Sequence, residues 1–361
     1  MKKKIIRFYL ILITGLVLTA GVHAQQKYTP PALSNPDSWS MILLPDPQTY
    51  VKFERNQPIF NLMTSWIGEN IDPLHIKMVL CTGDLVEHNT TIDLDPGKAN
   101  QSPEAQWKAV AAGLGKLDGK VPYVAVAGNH DYGIIKPADD RKSHYGTYFP
   151  VDKNPLNKAI LREIGLNAEG VPTLENAAYE LISPQGRKFL VLALEFAPRN
   201  AVIDWANKVV NQPKYKDHTV ILITHSYMQA DNERIKKENY KIADANYGED
   251  IWQKLVKPSK NIEMVIAGHI GKPNNMRAHV AFRTDTNAGG KKVQQMVFNA
   301  QALGGGWYGN GGDGWLRILE FLPDGKTVKV KTFSPLFAIS PTTQQFAWRT
   351  ASFDEFTFTL D

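Results

Sequence analysis

Short apolar runs recur along this chain, and several of them are followed directly by polar side chains. Five runs are continuously apolar, which predicts strands buried on both faces of a sheet; they cover residues 41–44, 78–81, 123–126, 220–223 and 264–267. Apolar residues at helical spacing predict helices over residues 58–70, 103–117, 202–211 and 248–256. Strands that alternate with helices favour an α/β fold.

The pattern changes in the second half of the chain. Four strand-like segments separated by turns predict a second, antiparallel-leaning sheet; they cover residues 280–284, 293–299, 316–322 and 327–333. Residues 132–175 have no strong period, and we expect them to form an excursion over the mouth of the binding crevice. The aromatic tail, residues 340–361, predicts a final strand. No linker rich in Pro, Gly or Ser separates the motif residues between Asp46 and His269, so we expect residues 25–361 to form one domain.

Polar side chains follow the five buried runs at the point where each run ends. In an open α/β sheet such residues converge on one crevice, even when they are far apart in sequence. Carboxylate, amide and imidazole groups without a thiolate suit manganese, iron or zinc, so the set predicts a metal-dependent hydrolase. Cys81, the only cysteine, lies within a predicted strand, where we expect a small buried side chain. The five segments are Asp46-Pro47-Gln48, Gly83-Asp84-Leu85-Val86-Glu87, Gly128-Asn129-His130-Asp131, His225 and Gly268-His269.

In order and strand context these segments resemble the motifs of the calcineurin-like metallophosphoesterases, and the resemblance extends over residues 40–322. It implies a four-layer α/β/β/α sandwich of two mixed sheets flanked by helices. It also implies two divalent metal ions, of Mn, Fe, Zn or Mg. By resemblance one ion takes Asp46, Gln48 and a bridging Asp84, and the other takes Asp84, Asn129, His225 and His269.

Two positions depart from the family pattern, and both belong to the first metal site. Gln48 stands where a histidine is usual, and Gly271 stands where the last histidine of Gly-His-x-His is usual. We therefore expect a weaker first site that favours harder ions such as manganese or magnesium. Pro45-Asp46-Pro47-Gln48 resembles the signature of an Asp-x-Gln branch of the superfamily.

The resemblance implies that a metal-bound water attacks phosphorus in line. His130 would then protonate the leaving group, with Glu87 as the acidic partner that orients it. Asn129 and His130 are also candidates for contacting the substrate. The glycine-rich run 304–314 lacks the features of a nucleotide-binding loop, and two interpretations stay open. It either presents Trp307 and Tyr308 to substrate or forms a tight turn in which they pack.

The amino terminus has the pattern of a secretory signal peptide over residues 1–24, so we expect a periplasmic or secreted protein. The formal net charge of +5 falls to +1 without this segment, because four of the 41 basic side chains and no acidic side chain lie in it. A nearly neutral mature chain gives no indication of nucleic-acid or membrane-surface binding. Nothing in the sequence indicates an obligate protein partner.

Two functions remain open at this point. The first is an exported phosphoesterase that acts on a small phosphorylated substrate, either a monoester or a diester. The second is a phosphate- or glycan-binding protein whose first metal site has degraded, which only Gln48 and Gly271 favour. The presence of His130 and Glu87 beside the predicted ligands argues for the enzyme.

Overall fold

The computed structural model describes residues 28–361, so the predicted signal peptide lies outside the described residues. Within them the strands are β1 (Trp39–Leu44), β2 (Ile76–Cys81), β3 (Tyr123–Ala125), β4 (Leu161–Leu166), β5 (Pro172–Ile182), β6 (Lys188–Ala193), β7 (Thr219–Ile223), β8 (Ile262–Ala267), β9 (Val280–Thr286), β10 (Lys292–Phe298), β11 (Leu316–Phe321), β12 (Thr327–Phe333), β13 (Trp348–Arg349) and β14 (Phe356–Thr359). The helices are α1 (Gln48–Val51), α2 (Gln57–Glu69), α3 (Pro103–Gly115), α4 (Tyr145–Tyr148), α5 (Pro155–Ile160), α6 (Asn200–Val210), α7 (Gly248–Ile251) and α8 (Pro335–Ala338).

The strands form two mixed sheets. The first has the order β13-β12-β11-β1-β2-β3, with β14 also paired to β12; β1, β2 and β3 are parallel, and β11 and β12 are antiparallel. The second has the order β4-β5-β6-β7-β8-β10-β9, in which β6, β7, β8 and β10 are parallel. All five predicted buried strands are confirmed, and their carboxyl ends carry the polar segments.

The two sheets pack face to face, and aromatic rings join them. Phe189 of β6 in the second sheet meets Trp39 of β1 and Phe321 of β11 in the first sheet edge-on, with ring centroids 5.5 and 5.6 Å apart. Helices cover the outer faces: Trp66 of α2 contacts Phe333 of β12 at 5.1 Å, and α6 packs against β4. The predicted four-layer α/β/β/α architecture is therefore confirmed.

The prediction that the late strands form one second sheet is wrong. Strands β9 and β10 extend the sheet that contains β7 and β8, whereas β11 and β12 pair with β1 at the other sheet. The reason is that both sheets are mixed. In the first sheet β11 and β12 continue antiparallel beyond β1, and in the second sheet antiparallel strands flank the parallel set β6, β7, β8 and β10 on both sides. Local alternation specifies that a segment is a strand but not which strand it pairs with.

Two further segments differ from the sequence prediction in detail. Residues 132–175, expected as an irregular excursion, contain α4, α5, β4 and the start of β5. Helix α7 ends at Ile251 and continues as a π-helical turn, Trp252–Val256, so the predicted helix over residues 248–256 is not uniform. The aromatic tail forms the short strands β13 and β14, both paired to β12.

Helix α3 shows why the local predictions succeed. Its N-cap, Ser102, accepts a hydrogen bond from the Ala105 backbone N–H at 3.2 Å, and Pro103 occupies the first turn, where its missing N–H costs nothing. Such signals depend only on neighbouring residues and can therefore be recognised in the sequence.

None of the helices within residues 28–361 is both long enough and apolar enough to cross a bilayer.

Candidate metal centre

The polar segments converge because they follow neighbouring strand ends. Asp46 comes after β1, Asp84 after β2 and Asn129 after β3; His225 and His269 come after β7 and β8 of the other sheet. The backbone at Asp84 and His269 is left-handed, with φ of +47° and +74°, a conformation that costs free energy in residues with a side chain. Such strain is frequent at functional sites.

At two motif positions neighbouring side chains come so close to the backbone that only glycine fits. A Cβ at Gly128 would lie 2.2 Å from Asp84 Oδ1, and a Cβ at Gly83 would lie 2.6 Å from His225 Nδ1. Gly83 also has a φ of +108°, which favours glycine over other residues. The two glycines therefore allow the predicted ligands Asp84 and His225 to approach each other.

Four of the predicted ligands meet at the Nε2 atom of His225. Asp84 Oδ2 lies 3.2 Å from it, Asn129 Oδ1 lies 3.1 Å from it, and His269 Nδ1 lies 3.1 Å from it. Asp84, His225 and His269 each offer a ligand atom within 4.8 Å of the others. One ring nitrogen cannot satisfy three such partners, so the arrangement has the geometry of ligands that share one cation.

The protonation of the two histidines supports the same conclusion. His225 Nδ1 donates to the Thr82 carbonyl oxygen at 2.8 Å, and His269 Nε2 donates to Glu238 Oε1 at 2.6 Å. In the neutral rings these contacts leave the lone pairs of His225 Nε2 and His269 Nδ1 facing each other. A cation between them relieves that repulsion, and the set of two imidazoles, one carboxylate and one amide fits a divalent transition metal.

The electrostatics of the site also favour a positive charge. Burial lowers the pKa of His225, but the carboxylates of Asp84 and Asp46 outweigh it and raise that pKa to about 10. Burial raises the pKa of Asp84, and the facing charges of His225 and His130 more than offset this, so it lies well below its ordinary value. The carboxylates therefore favour a positive charge at the position of His225 Nε2.

Asp46 and Gln48 lie beside this cluster, at the predicted first metal position. Asp46 is fully buried; its oxygens accept hydrogen bonds from Thr82 Oγ1 at 2.7 Å, from the His269 backbone N–H at 2.9 Å and from Asn299 Nδ2 at 2.6 Å. Burial raises the pKa of Asp46 to about 6. Gln48 Nε2 donates to Glu87 Oε2 at 3.0 Å, and its Oε1 is buried with no hydrogen-bond partner among residues 28–361.

His130 contacts Glu87, but through a different atom than the sequence predicted. Its Nδ1 donates to the Glu87 backbone carbonyl at 2.8 Å, while the Glu87 carboxylate contacts Lys52 Nζ at 3.2 Å and the amide of Gln48. The His130 backbone N–H donates to Asp84 Oδ1 at 2.9 Å. Burial lowers the pKa of His130, and the charges of Asp84 and Glu87 outweigh it, so that this pKa is raised.

A cavity of about 340 Å³ opens beside these residues. Trp307 and Tyr308 line it, and the loop that carries them is also tight: a Cβ at Gly311, where φ is +97°, would lie 2.3 Å from the Tyr50 ring. A larger cavity, of about 790 Å³, lies around Trp315 and contains none of the motif residues, so size alone does not identify the site. The smaller cavity is lined by Gln48, Lys52, Asp84, Glu87, Asn129, His130, Tyr240, His269, Gln301, Trp307 and Tyr308.

Four residues at this site were not predicted from the sequence: Lys52, Glu238, Tyr240 and Gln301. Gln301 follows β10 as the predicted ligands follow their strands, so the same rule applied to residues 293–299 would have found it. Glu238 and Tyr240 lie in a segment without periodicity, which gives no such signal. His88 and His144 do not line the cavity.

A two-sheet sandwich with a carboxylate–imidazole cluster at its strand ends defines a class of metal-dependent hydrolases. The calcineurin-like phosphoesterase family matches residues 46–273, and the chain belongs to that family.

A relative from Bacillus subtilis (strain 168), the uncharacterized protein YvnB, is 30% identical over 318 residues, which cover 86% of this chain and 21% of that protein. The chain thus spans about a fifth of that relative's length. Among solved structures, one described as GAP50, the anchor in the inner membrane complex of Plasmodium, is 11% identical with a TM-score of 0.45, covering 90% of this chain and 89% of that chain.

Proposed function

We propose that this protein is an exported, metal-dependent phosphoesterase of the Asp-x-Gln branch, which hydrolyses a monoester or diester of a small phosphorylated substrate. The observation that carries the proposal is the convergence of Asp84, Asn129 and His269 on His225 Nε2, next to His130 and an open cavity. Family membership supports phosphoester hydrolysis as the reaction.

The chain would hold two divalent ions, one with Asp84, Asn129, His225 and His269 and one with Asp46, Gln48 and Asp84. Such ions, when bound, supply an activated water nucleophile and offset the charge of the phosphoryl oxygens. Asp84 belongs to both sets, and its low pKa keeps it ionised and able to bridge.

His130 is the proton donor in this proposal. Its Nδ1 is fixed by the Glu87 carbonyl oxygen, which leaves Nε2 available to a leaving-group oxygen at the cavity. The raised pKa of His130 favours the protonated ring that a general acid needs. Glu87 acts through its carbonyl oxygen and its negative charge, as a positioning residue rather than a group that touches substrate.

Substrate would lie in the cavity between the metal ligands and the glycine-rich loop. Asn129 and His130 border the side where phosphate is expected, and Trp307 and Tyr308 provide aromatic surface for the remainder of the molecule. The Lys52 ammonium group lies 5.3 Å from the centroid of the Tyr308 ring and adds positive charge to the same cavity. The pairing of a cationic and an aromatic surface suits a phosphorylated organic molecule.

The alternative, a non-catalytic phosphate- or glycan-binding protein, is disfavoured. Binding needs no proton donor, yet His130 is held by two hydrogen bonds, one of them to the ligand Asp84. A site kept for binding alone has no requirement for that arrangement.

The test begins with mature protein, residues 25–361, stripped of metal. Hydrolysis of p-nitrophenyl phosphate and bis-p-nitrophenyl phosphate is measured with added manganese, zinc, iron or magnesium, and bound metal is counted per chain. We expect turnover that returns with two equivalents, and the better substrate identifies the monoesterase or diesterase. One tightly bound ion without turnover on either ester would contradict the proposal.

His225→Ala should lose the tightly bound ion and with it all turnover. His218→Ala is the matched control, because His218 is also a buried histidine but contacts Glu180 at 2.9 Å, outside the cluster. Equal losses in both variants would indicate a folding defect rather than loss of a ligand.

Export is the part of the proposal that the amino-terminal sequence supports. Expression of the full chain in a bacterial host, followed by mass measurement of the periplasmic product, tests it. A mature protein that begins at Gln25 is expected; an uncleaved chain retained in the cytoplasm would overturn the assignment.

A further inference from the structure

Gly271 stands where the last histidine of the family's Gly-His-x-His pattern is usual, and the fold leaves no room for a side chain there. A Cβ at residue 271 would lie 2.5 Å from His279 Nε2. The His279 ring is fully buried and fixed at both nitrogens: Nδ1 donates to the Asn275 carbonyl at 2.8 Å, and Nε2 accepts from the Ala302 backbone N–H at 3.3 Å. His279 therefore both excludes a side chain at 271 and is itself unable to offer a nitrogen to a metal.

Two glutamines beside the cluster carry unpaired amide oxygens. Gln48 Oε1 and Gln301 Oε1 are buried carbonyl oxygens without a hydrogen-bond partner within the described residues, and both side chains are 3% exposed. Both glutamines line the cavity that contains Asp84 and His269. An unpaired buried carbonyl oxygen is costly, and a cation is a partner that removes this cost.

The amide orientation of each glutamine is set by its nitrogen. Gln48 Nε2 donates to Glu87 Oε2 at 3.0 Å, and Gln301 Nε2 donates to the His269 carbonyl oxygen at 3.4 Å. In both side chains the amide oxygen is therefore the atom left free. Oxygen, not nitrogen, is the amide atom that ligates hard divalent ions.

The segment that carries Gln301 is anchored to the first metal position. It follows β10, and Asn299 at the start of this segment donates to Asp46 Oδ2 at 2.6 Å. The segment is thus held at Asp46 by the Asn299 amide, and the Gln301 amide is held by the His269 carbonyl oxygen. No sequence motif follows β10. Gln301 comes close to His269 because β10 pairs in parallel with β8, the strand that precedes His269.

We propose that Gln301 Oε1 is a ligand of the first metal ion and takes the place of the histidine absent at residue 271. The first site then consists only of oxygen ligands: Asp46, Gln48, Asp84 and Gln301. Such a set favours Mn²⁺ or Mg²⁺, whereas the site with two imidazoles favours Zn²⁺ or Fe²⁺. The two positions differ in metal preference, and the enzyme is heterodinuclear.

This proposal rests on the proposed function only in that the cavity holds metal ions, and its test measures metal binding rather than turnover. Metal-free mature protein, residues 25–361, is loaded with one equivalent of Zn²⁺ and then titrated with Mn²⁺. Bound metal is counted after equilibrium dialysis, and the electron paramagnetic resonance signal of Mn²⁺ reports its ligand environment. We expect one Mn²⁺ to bind in addition to the Zn²⁺.

In Gln301→Ala the Mn²⁺ affinity should fall about 10–100-fold while Zn²⁺ binding stays unchanged. Gln301→Glu keeps the shape and adds a charge, so Mn²⁺ should bind more tightly than in the wild type. Gln294→Ala is the matched control, because Gln294 is equally buried, lies on β10, and has both amide atoms paired, to Thr284 and to the Thr359 carbonyl.

Unchanged Mn²⁺ affinity in folded Gln301→Ala or Gln301→Glu overturns the proposal. A wild-type protein that binds one ion and no second also overturns it, and the Lys52 ammonium, 3.2 Å from Glu87, would then be the cation on that side of the cavity. If Gln301→Ala does not fold, Gln301→Glu alone decides. Mn²⁺ binding that depends on Gln301 without any ester hydrolysis would remove the proposed function and leave this ligand in place.

Discussion

Glu238 Oε1 accepts a hydrogen bond from His269 Nε2 at 2.6 Å, and this contact orients the ring of a proposed metal ligand. The other carboxylate oxygen of Glu238 accepts a hydrogen bond at 2.8 Å from Ser226 Oγ, whose residue follows the proposed ligand His225. The segment before helix α7 thereby connects to both histidines. A carboxylate behind a ligating imidazole fixes the tautomer and raises the basicity of the nitrogen that faces the metal.

Glu238→Gln should weaken the tightly bound metal about 10–100-fold without unfolding the protein. The substitution keeps the shape of the side chain but removes the charge behind His269. Competition with a zinc chelator measures the affinity. Glu233→Gln is the control, because Glu233 lies in the same segment and its side chain is 71% exposed. Equal zinc affinity in both variants would show that Glu238 does not tune the site.

His130→Ala should retain both metal ions and lose about 10²–10⁴ in kcat, the range expected for a general acid. Metal content and kcat are measured on the same preparation. His144→Ala serves as the control because His144 is exposed and does not line the cavity. Normal turnover in folded, metal-loaded His130→Ala would assign the proton to another donor.

Glu320→Gln should lower the free energy of unfolding at neutral pH by about 1.5–3 kcal/mol, the scale of a hydrogen bond to a charged group. Burial opposes ionisation of Glu320, but the Ser34 hydroxyl and backbone N–H, together with Lys331, hold its pKa below the ordinary 4.5. A carboxyl whose pKa is lowered in the folded state contributes stability above its unfolded pKa and loses it as pH falls through the folded pKa.

Urea denaturation of wild type and Glu320→Gln from pH 7 to pH 3 checks this dependence. The difference in unfolding free energy should be largest near neutral pH and shrink below about pH 4.5. Glu355→Gln, at an exposed position, is the control. A difference that is the same at every pH would assign the effect to packing rather than to ionisation.

The Cys81 thiol should be unreactive in the folded protein. It is 1% exposed at the end of β2, and burial raises its pKa far above the ordinary value. Each pKa unit above the solution pH lowers the fraction of reactive thiolate about tenfold. Labelling with a thiol reagent is expected to proceed only after denaturation in urea and then to modify one group per chain. Rapid labelling under native conditions would show that β2 opens locally.

The strand ends show how far sequence reasoning reaches. Asp46, Asp84, Asn129, His225 and His269 were predictable as a cluster because each directly follows a buried apolar run, and the carboxyl ends of neighbouring parallel strands meet. Strand existence and ligand type are both local properties of the chain. The burial of Cys81 in β2 was predictable for the same reason.

Contacts between distant segments were not predictable. The pairing of β10 with β8 and of β11 with β1 decides which sheet each late strand joins, and it depends on partners far away in sequence. The same holds for the backbone contact of Glu87 with His130, because a sequence identifies a side chain but not which atom of the residue is presented.

The sequence by itself determined the family motifs, the chemistry of the metal ligands and most strands and helices, because these follow from local periodicity and from residue type. Only the tertiary structure decided that His279 fills the space beside Gly271, that Glu238 supports His269, and that Gln301 brings an unpaired oxygen to the cavity. The physical reason is that steric exclusion and hydrogen bonding act between atoms that only folding brings within a few ångströms of each other.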